Sequence, residues 1–190
     1  NFEFKRCMRS YKTEAIIIKR RNFGEADRVL TVLTKTYGKI QVRAPGVRKI
    51  TSRRSSHIEL LNLSTLTLYR SFRASMPIVT EAQAQEEFLP IKKTLKKIGF
   101  AYYICELIDR LCAENQENRR VFFLLKDTLF TLCHADQAKP GSASSISDFE
   151  EELLVSLGFL QKQHRLLDKQ IFIESILEQK LRTKQALYYF

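Results

Sequence analysis

An α+β chain, with strands in its first half and helices in its second, is predicted by three observations. Apolar residues recur with a period of two up to about residue 87 and with a period near 3.6 after Pro90. Five short strand-like runs, separated by glycine, proline and basic turns, fill the first part of the chain. Positive charge is also confined there: residues 1–80 hold 17 Lys/Arg against 5 Asp/Glu, whereas residues 81–190 hold 15 against 16. The net charge of +11 on 190 residues therefore belongs to the strand-forming half.

Ala15, Ile16, Ile17 and Ile18 form the first run, over residues 14–19, and it meets Lys19, Arg20 and Arg21. A turn is expected at Asn22-Phe23-Gly24-Glu25. A second strand spans residues 27–35 with Val29, Leu30, Val32 and Leu33. Tyr37-Gly38-Lys39 reads as a tight reversal in which Gly38 takes positive φ. In the third strand Ile40, Val42 and Ala44 face one way, and Lys39, Gln41 and Arg43 the other. Pro45-Gly46 ends it, and residues 46–57 form a basic connector. Residues 58–70 read as one long strand in which Leu61 and Leu63 lie out of phase with Leu66 and Leu68, the pattern of a β-bulge. A fifth strand is expected at about residues 74–85. Five strands in this spacing suit a small closed barrel, for which an OB-fold is the leading candidate and an SH3-like barrel the rival on pattern alone.

The helical half follows without a true linker, which sets a boundary at 1–87 and 88–190. Residues 91–115 place Leu95, Ile98, Tyr102, Cys105, Ile108, Leu111 and Cys112 on one stripe. A second helix is expected over 117–134, then a flexible loop over 135–146. Ser147 with Glu150 reads as a capping box opening a third helix that runs through Leu160. A fourth is expected over about 171–188. Of the consecutive pairs Tyr102-Tyr103 and Phe122-Phe123, only one member each can face inward.

Catalytic patterns are missing from the sequence. His57, His134 and His164 are far apart, and neither a phosphate-binding glycine loop nor a nucleophile elbow occurs. Glu150-Glu151-Glu152 suits the first turn of a helix better than a metal. Cys7, Cys105, Cys112 and Cys133 form no C-x-x-C pair and read as free thiols of a reducing compartment. Neither a membrane span nor a signal-peptide core is recognisable. A non-enzymatic, cytoplasmic, nucleoid-associated protein is expected, with no cofactor, metal, membrane or small-molecule substrate.

Half a chain with this charge repels itself, and a polyanion is the usual compensation, ahead of an acidic membrane or an acidic protein. The residues expected to contact nucleic acid are Lys19, Arg20, Arg21, Phe23, Arg28, Lys39, Arg43, Arg48, Lys49, Arg53 and Arg54. Guanidinium and ammonium groups grip phosphates, and Phe23, in a polar turn, offers a face to a base. Arg70 and Arg73 flank the last hairpin, and Tyr37, Tyr69 and Phe72 lie nearby; Tyr69 and Phe72 read first as core. In the helical half Arg110, Arg119, Arg120, Phe122 and Lys126 are expected beside a pocket for an acidic peptide with an aromatic anchor. An RNA-binding or ribosome-associated OB factor is the alternative on the same physics.

Several segments taken together resemble a known family. Residues 11–19 (YKTEAIIIK), 22–28 (NFGEADR), 37–39 (YGK), 46–49 (GVRK), 68–70 (LYR), 101–103 (AYY) and 106–111 (ELIDRL), with the stretch 154–159, are similar to the DNA recombination and repair mediator family RecO. The likeness covers about residues 11–160. It implies an OB domain followed by a helical domain, binding of single- and double-stranded DNA, and annealing of complementary strands. It also implies partnership with RecR, contact with the C-terminal tail of single-strand-binding protein, and help in loading RecA. Arg20, Arg21, Arg28, Lys39, Arg43, Arg48 and Lys49 fall in or beside the matching segments. Many relatives carry a four-cysteine zinc module after the third-helix region. Here Gln161-Lys162-Gln163-His164 and the residues after them contain no cysteine, so no zinc site is predicted and the chain looks like a short, divergent member.

Overall fold

Three consecutive isoleucines cannot all enter one core from a regular strand, because successive side chains alternate between faces. Of the three, Ile17 belongs to the barrel core cluster, Ile16 and Ile18 are buried outside it, and a bulge follows Ile17. A computed structural model describes residues 10–71, 74–134, 146–161, 169–178 and 181. In it β1 (Ser10–Phe23) pairs antiparallel with β2 (Asp27–Thr34), and the register steps from Ile17↔Val32 to Lys19↔Thr31. Ile18 is the extra residue. Ala15 and Ile17 enter the barrel core before the step. After it, the rungs alternate in the opposite phase along β1, so that Lys19, Arg21 and Phe23 face outward.

The strand β3 (Gly38–Ala44) continues the meander, and β4 (Leu63–Tyr69) and β5 (Ile78–Glu86) complete a closed barrel in the order β1-β2-β3-β5-β4. All pairings are antiparallel except β3 with β5, where Arg43 pairs with Ile78 and its N–H donates to the Pro77 carbonyl at 2.8 Å. Five strands closed in this order form an OB barrel, as the strand pattern predicts. Its core takes Ala15, Ile17, Leu30, Val32, Ile40, Val42, Ala44, Leu66, Leu68 and Val79 from the strands, and Val47 and Ile58 from the connector.

One strand expectation is corrected. The phase change read over 58–70 is not a bulge in one long strand. Ser56–Ile58 is a single 3-10 turn, Leu61 takes φ 71, and the strand begins only at Leu63. A left-handed residue reverses the chain locally, and so brings Ile58, Leu61 and Leu63 all into buried positions. The bulges of the sheet lie instead in β1 at Ile18 and where β5 pairs with β4, at the steps Leu63/Ser64 and Thr67/Leu68.

Gly38 has φ +68, as its turn requires, and it also makes a close approach that no local pattern shows. A Cβ there would lie 1.8 Å from the Gln116 carbonyl oxygen. The segment Glu114–Glu117 groups with the barrel: Lys39 and Glu114 form a parallel bridge, and the Asn115 N–H donates to the Lys39 carbonyl at 2.8 Å. The chain thus divides into two compact units, Asn1–Glu87 with Glu114–Glu117, and Phe88–Ala113 with Asn118–Phe190.

The second unit is helical. The helix expected over 91–115 is two helices, α1 (Leu89–Lys93) and α2 (Leu95–Leu111). Thr94 separates them in extended conformation, and its carbonyl accepts the Ile98 N–H at 2.9 Å. A threonine at this position is an ordinary N-cap residue. The expected stripe holds in part: Cys105, Ile108 and Cys112 are buried, but Leu95 and Tyr102 are exposed, and Phe100, Tyr103, Ile104 and Leu107 are buried as well. In α3 (Arg119–His134), capped by the Asn118 side chain to the Val121 N–H, the buried residues include Val121, Phe122, Leu125 and Leu129. One member of each aromatic pair is inside, Tyr103 and Phe122, and the other is outside.

In α4 (Ile146–Leu157) the capping-box reading fails. Glu150 is buried and accepts a hydrogen bond from the Tyr103 hydroxyl, whose pKa is raised far above the usual phenol range by burial first and by this bond next. The helix ends before Gly158, which has φ 82, rather than running to Leu160. Of the last expected helix, α5 (Lys169–Leu177) is described, and the remainder to 188 lies outside the described residues, apart from Glu178 and Leu181, as does nearly all of the expected loop 135–146. Cys105, Cys112 and Cys133 form no disulfide among the described residues, and burial pushes the Cys105 thiol up to about 12, which keeps it protonated; Cys7 lies outside the described residues.

The two turn glycines make a matched test. Gly24, with φ +58, has nothing within 4 Å of its ideal Cβ, so Gly24→Ala is expected to cost only the left-handed backbone penalty, about 1 kcal/mol. Gly38→Ala adds a collision with backbone and is expected to cost about 3 kcal/mol or more. Urea unfolding of the two variants checks this, and equal midpoints would remove the structural role assigned to Gly38 against Gln116.

Candidate nucleic-acid interface

The outward rungs of β1, β2 and β3 form a short ladder of polar and charged side chains. Lys19 pairs with Thr31 and Thr31 with Gln41; Arg21 pairs with Val29 and Val29 with Arg43; Phe23 pairs with Asp27. Directly paired residues point to the same side of a sheet. Lys19, Arg21, Phe23 and Arg43 therefore share one face, and all four are exposed. Phe23 keeps 48% of its surface in solvent.

A compact hydrogen-bond knot fixes the end of this face. Asp27 Oδ2 accepts from Arg43 Nε at 2.8 Å and from Arg43 Nη2 at 2.6 Å. Its other oxygen accepts the Gly46 N–H at 2.8 Å. The Arg43 guanidinium lies 5.2 Å from the Phe23 ring centroid, within range of a cation–π contact. Arg48 joins the same region: its backbone N–H donates to the Ala26 carbonyl at 2.9 Å and its Nη1 to the Gly24 carbonyl at 3.1 Å. Across the ladder Arg21 Nη2 donates to Gln41 Oε1 at 3.4 Å, and Gln41 Nε2 to Glu114 Oε1 at 2.7 Å. Lys49 and Arg53 are exposed on the connector that follows β3.

Other members of the predicted set stand elsewhere. Arg20 and Arg28 occupy rungs on the inward side, with Leu30 and Ala44, and both pair with Glu59. Arg28 contacts Glu59 Oε1 at 2.9 Å with 19% of its side chain exposed. These two guanidinium groups and one carboxylate stand beyond the apolar core on the inward side of the sheet. Arg54 donates to the carbonyls of Val79 at 2.6 Å and Pro45 at 2.8 Å, so it staples the connector to β5. Lys39 is corrected most plainly. It lies on the outward ladder, but its side chain is buried to 6% exposure and its backbone carries the Glu114–Glu117 segment. Arg70 is exposed and Tyr69 half-buried, while Phe72 and Arg73 lie outside the described residues.

In the helical unit the predicted peptide-contact set is divided. Arg119 and Arg120 are exposed at the start of α3, Lys126 is half-buried, and Arg110 is paired with Glu106 at 2.8 Å. Phe122 is fully buried and packs edge-on against Phe123 at 5.6 Å; Phe123 is the partly exposed ring. Helical phase decides between them: Phe122 lies one turn before the buried Leu125 and two before Leu129.

Sequence reasoning missed two acidic residues, Asp27 and Glu59. Asp27 closes a hairpin whose ends bear Phe23 and Arg43, and its place opposite Phe23 follows once the turn is read as residues 24–26. Glu59 gives no local signal. His57 accepts a hydrogen bond from the distant Ala84 N–H and His134 bonds locally with the Phe130 carbonyl, and no cluster of metal-ligating side chains occurs among the described residues. No helix of the described residues is long and apolar enough to cross a membrane.

An OB barrel with cations and an exposed aromatic ring on its outer β1–β3 face, joined to a helical unit, defines the class of chain. Its sequence matches the family models for the recombination protein O N terminal over residues 8–88 and the recombination protein O C terminal over residues 92–162. It is 40% identical to the DNA repair protein RecO of Roseiflexus sp. (strain RS-1) over 151 residues, which is 80% of this chain and 51% of that protein. It is 38% identical to the DNA repair protein RecO of Dehalococcoides mccartyi (strain ATCC BAA-2100 / JCM 16839 / KCTC 5957 / BAV1) over 78% of this chain and 56% of that one. For the protein of the same name from Pelotomaculum thermopropionicum the values are 32%, 80% and 57%. The chain belongs to the RecO family, and it spans between half and three-fifths of the length of these relatives.

The knot predicts an acid limit. The Gly46 N–H, and then the Arg43 guanidinium, hold the Asp27 carboxyl below its usual range. A folded-state pKa below the unfolded one contributes stability that is complete above the unfolded value and is lost as pH falls through the folded one. Urea midpoints taken from about pH 6 to about pH 2 should fall more steeply for the parent chain than for Asp27→Asn. Parallel curves would show that Asp27 does not stabilise the fold through its charge.

Proposed function

We propose that this chain is a non-catalytic mediator of DNA repair and recombination that binds DNA on the outer face of β1–β3. The observation that carries the reading is the alignment of Lys19, Arg21, Phe23 and Arg43 on one exposed face, next to the connector that bears Arg48, Lys49 and Arg53. Cations on a strand face bind phosphates without regard to sequence, and an exposed ring stacks on any base. In this reading, neutralising the phosphates lets two complementary strands approach and anneal. Single- and double-stranded DNA are both ligands. RecR, the C-terminal tail of single-strand-binding protein and the recombinase to be loaded are the protein partners expected from the family, with the helical unit as their docking element. The curated relatives bear the name DNA repair protein, which supports the same role.

The reading separates cations that bind from cations that brace. If about six side chains (Lys19, Arg21, Arg43, Arg48, Lys49 and Arg53) contact phosphates, the log–log salt dependence of single-strand affinity should have a slope of about −4. Arg21→Glu with Arg48→Glu should flatten it to about −3 or less and slow strand annealing, with and without single-strand-binding protein. Arg20→Ala should instead leave the slope alone and lower stability by about 1 kcal/mol, because its partner is Glu59. Fluorescence anisotropy across a sodium chloride series reads the slope. Affinity that ignores salt would overturn the proposal, and a preference for structured RNA over single-stranded DNA at fixed salt would replace it with an RNA-binding role.

A further inference from the structure

The connector after β3 carries a run of exposed residues, Arg48, Lys49, Ile50 and Thr51, followed by Arg53, and Ile50 among them is fully exposed. Isolated apolar side chains on a surface ordinarily call for no explanation. Two features set this one apart. The loop that presents it is braced on both sides. Val47 is buried in the barrel core, the Lys49 N–H donates to the Gly46 carbonyl at 3.2 Å, the Ser52 N–H donates to the Lys49 carbonyl at 2.9 Å, and Arg54 is stapled to Val79 and Pro45. Cations stand immediately before and shortly after it. Arg48 also ties the loop to the turn that follows Phe23, through the carbonyls of Gly24 and Ala26, so the tip adjoins the proposed DNA face.

We propose that Ile50 is a stacking wedge: its side chain enters between two adjacent base pairs of a duplex while Arg48 and Lys49 hold the flanking phosphates. The inference rests on the DNA-binding reading above. Branched or bulky apolar side chains inserted between base steps unstack them and bend the duplex. A β-branched side chain suits this use, because its stiff χ1 leaves little freedom to lose on insertion. Unstacking costs least where the step is already weakened, so the ligand is a duplex with a mismatch or with a junction to single strand. A tip made of apolar and basic groups could equally meet an anionic lipid surface. The hydrogen bonds from Arg48 to the turn beside Phe23 favour DNA.

The test uses the full chain and three DNAs of equal length: a single strand, a fully paired duplex, and a duplex with one mismatched step beside a 2-aminopurine. The parent chain should bind the mismatched duplex about tenfold more tightly than the paired one, the worth of burying one branched side chain, and should brighten the 2-aminopurine. Ile50→Ser, a change on a fully exposed side chain, should keep the single-strand affinity, bring the duplex ratio to about one and leave the probe dark. A variant with the parent's ratio and fluorescence overturns the wedge and leaves DNA binding intact. Failure of the parent chain to bind any of the three DNAs overturns the functional reading and the wedge together. Binding to phosphatidylglycerol vesicles that Ile50→Ser abolishes, with the duplex ratio unmoved, assigns the tip to lipid and overturns the wedge.

Discussion

The surface chemistry of the barrel depends on the phase of one strand. Up to Ile17, β1 sends odd-numbered residues into the core; without the extra residue at Ile18, the same phase would put Lys19 and Arg21 on inward-side rungs and Arg20 on an outward one. The bulge reverses this. A one-residue slip exchanges the two faces of a strand, so the step at Ile18 is what puts Lys19, Arg21 and Phe23 on the side of Arg43. It also puts Arg20 on an inward-side rung, where its side chain stays 38% exposed. Glu59 pairs there with Arg20 and with the less exposed Arg28.

Charge placement then falls into two cases. Where a cation faces inward or crosses a loop, it is matched to a carboxylate or to backbone carbonyls, as Arg20, Arg28 and Arg54 are. On the ladder, Arg21 donates to the neutral Gln41 side chain. Arg43 lies between these cases. Its bond to Asp27 restrains the guanidinium beside the Phe23 ring, so the ring and the charge are presented together rather than as two mobile groups. With Arg43 45% exposed, the pair contributes modestly to stability; its further consequence here is orientation.

The parts of the fold legible in the sequence were those governed by local period and turn chemistry. Alternation from Lys39 to Ala44 gave the correct faces, and Gly38 the correct backbone. Lys39 shows the limit of that reasoning. Alternation places it on the outer ladder, yet Glu114–Glu117, far along the chain, runs beside it, and no local pattern can announce a distant segment. The out-of-phase leucines over 58–70 fitted two backbone solutions equally well, a bulge or a left-handed residue, and the pattern of apolar positions could not choose. Glu150 failed for a third reason: its spacing from Ser147 matches a capping box, but a buried Tyr103 hydroxyl supplies a tertiary partner that overrides the local motif.

A count of positive residues therefore overstates the binding face. The front half of the chain has enough Lys and Arg to suggest a broad basic surface, but the fold uses part of that supply to close its own barrel and hold its connector. Among the described residues, the cations exposed on the ladder and the connector beside it run from Lys19 through Arg21 and Arg43 to Arg48, Lys49 and Arg53, with Phe23 beside them, while Lys12, Arg20 and Arg70 are exposed as well. A strip suits a strand of phosphates better than a broad acidic protein surface, because cations in a row match a linear charge and leave most of a wide surface unmatched. This is the physical reason for preferring a nucleic acid over other polyanions, and it comes from where the fold leaves its cations exposed rather than from how many there are.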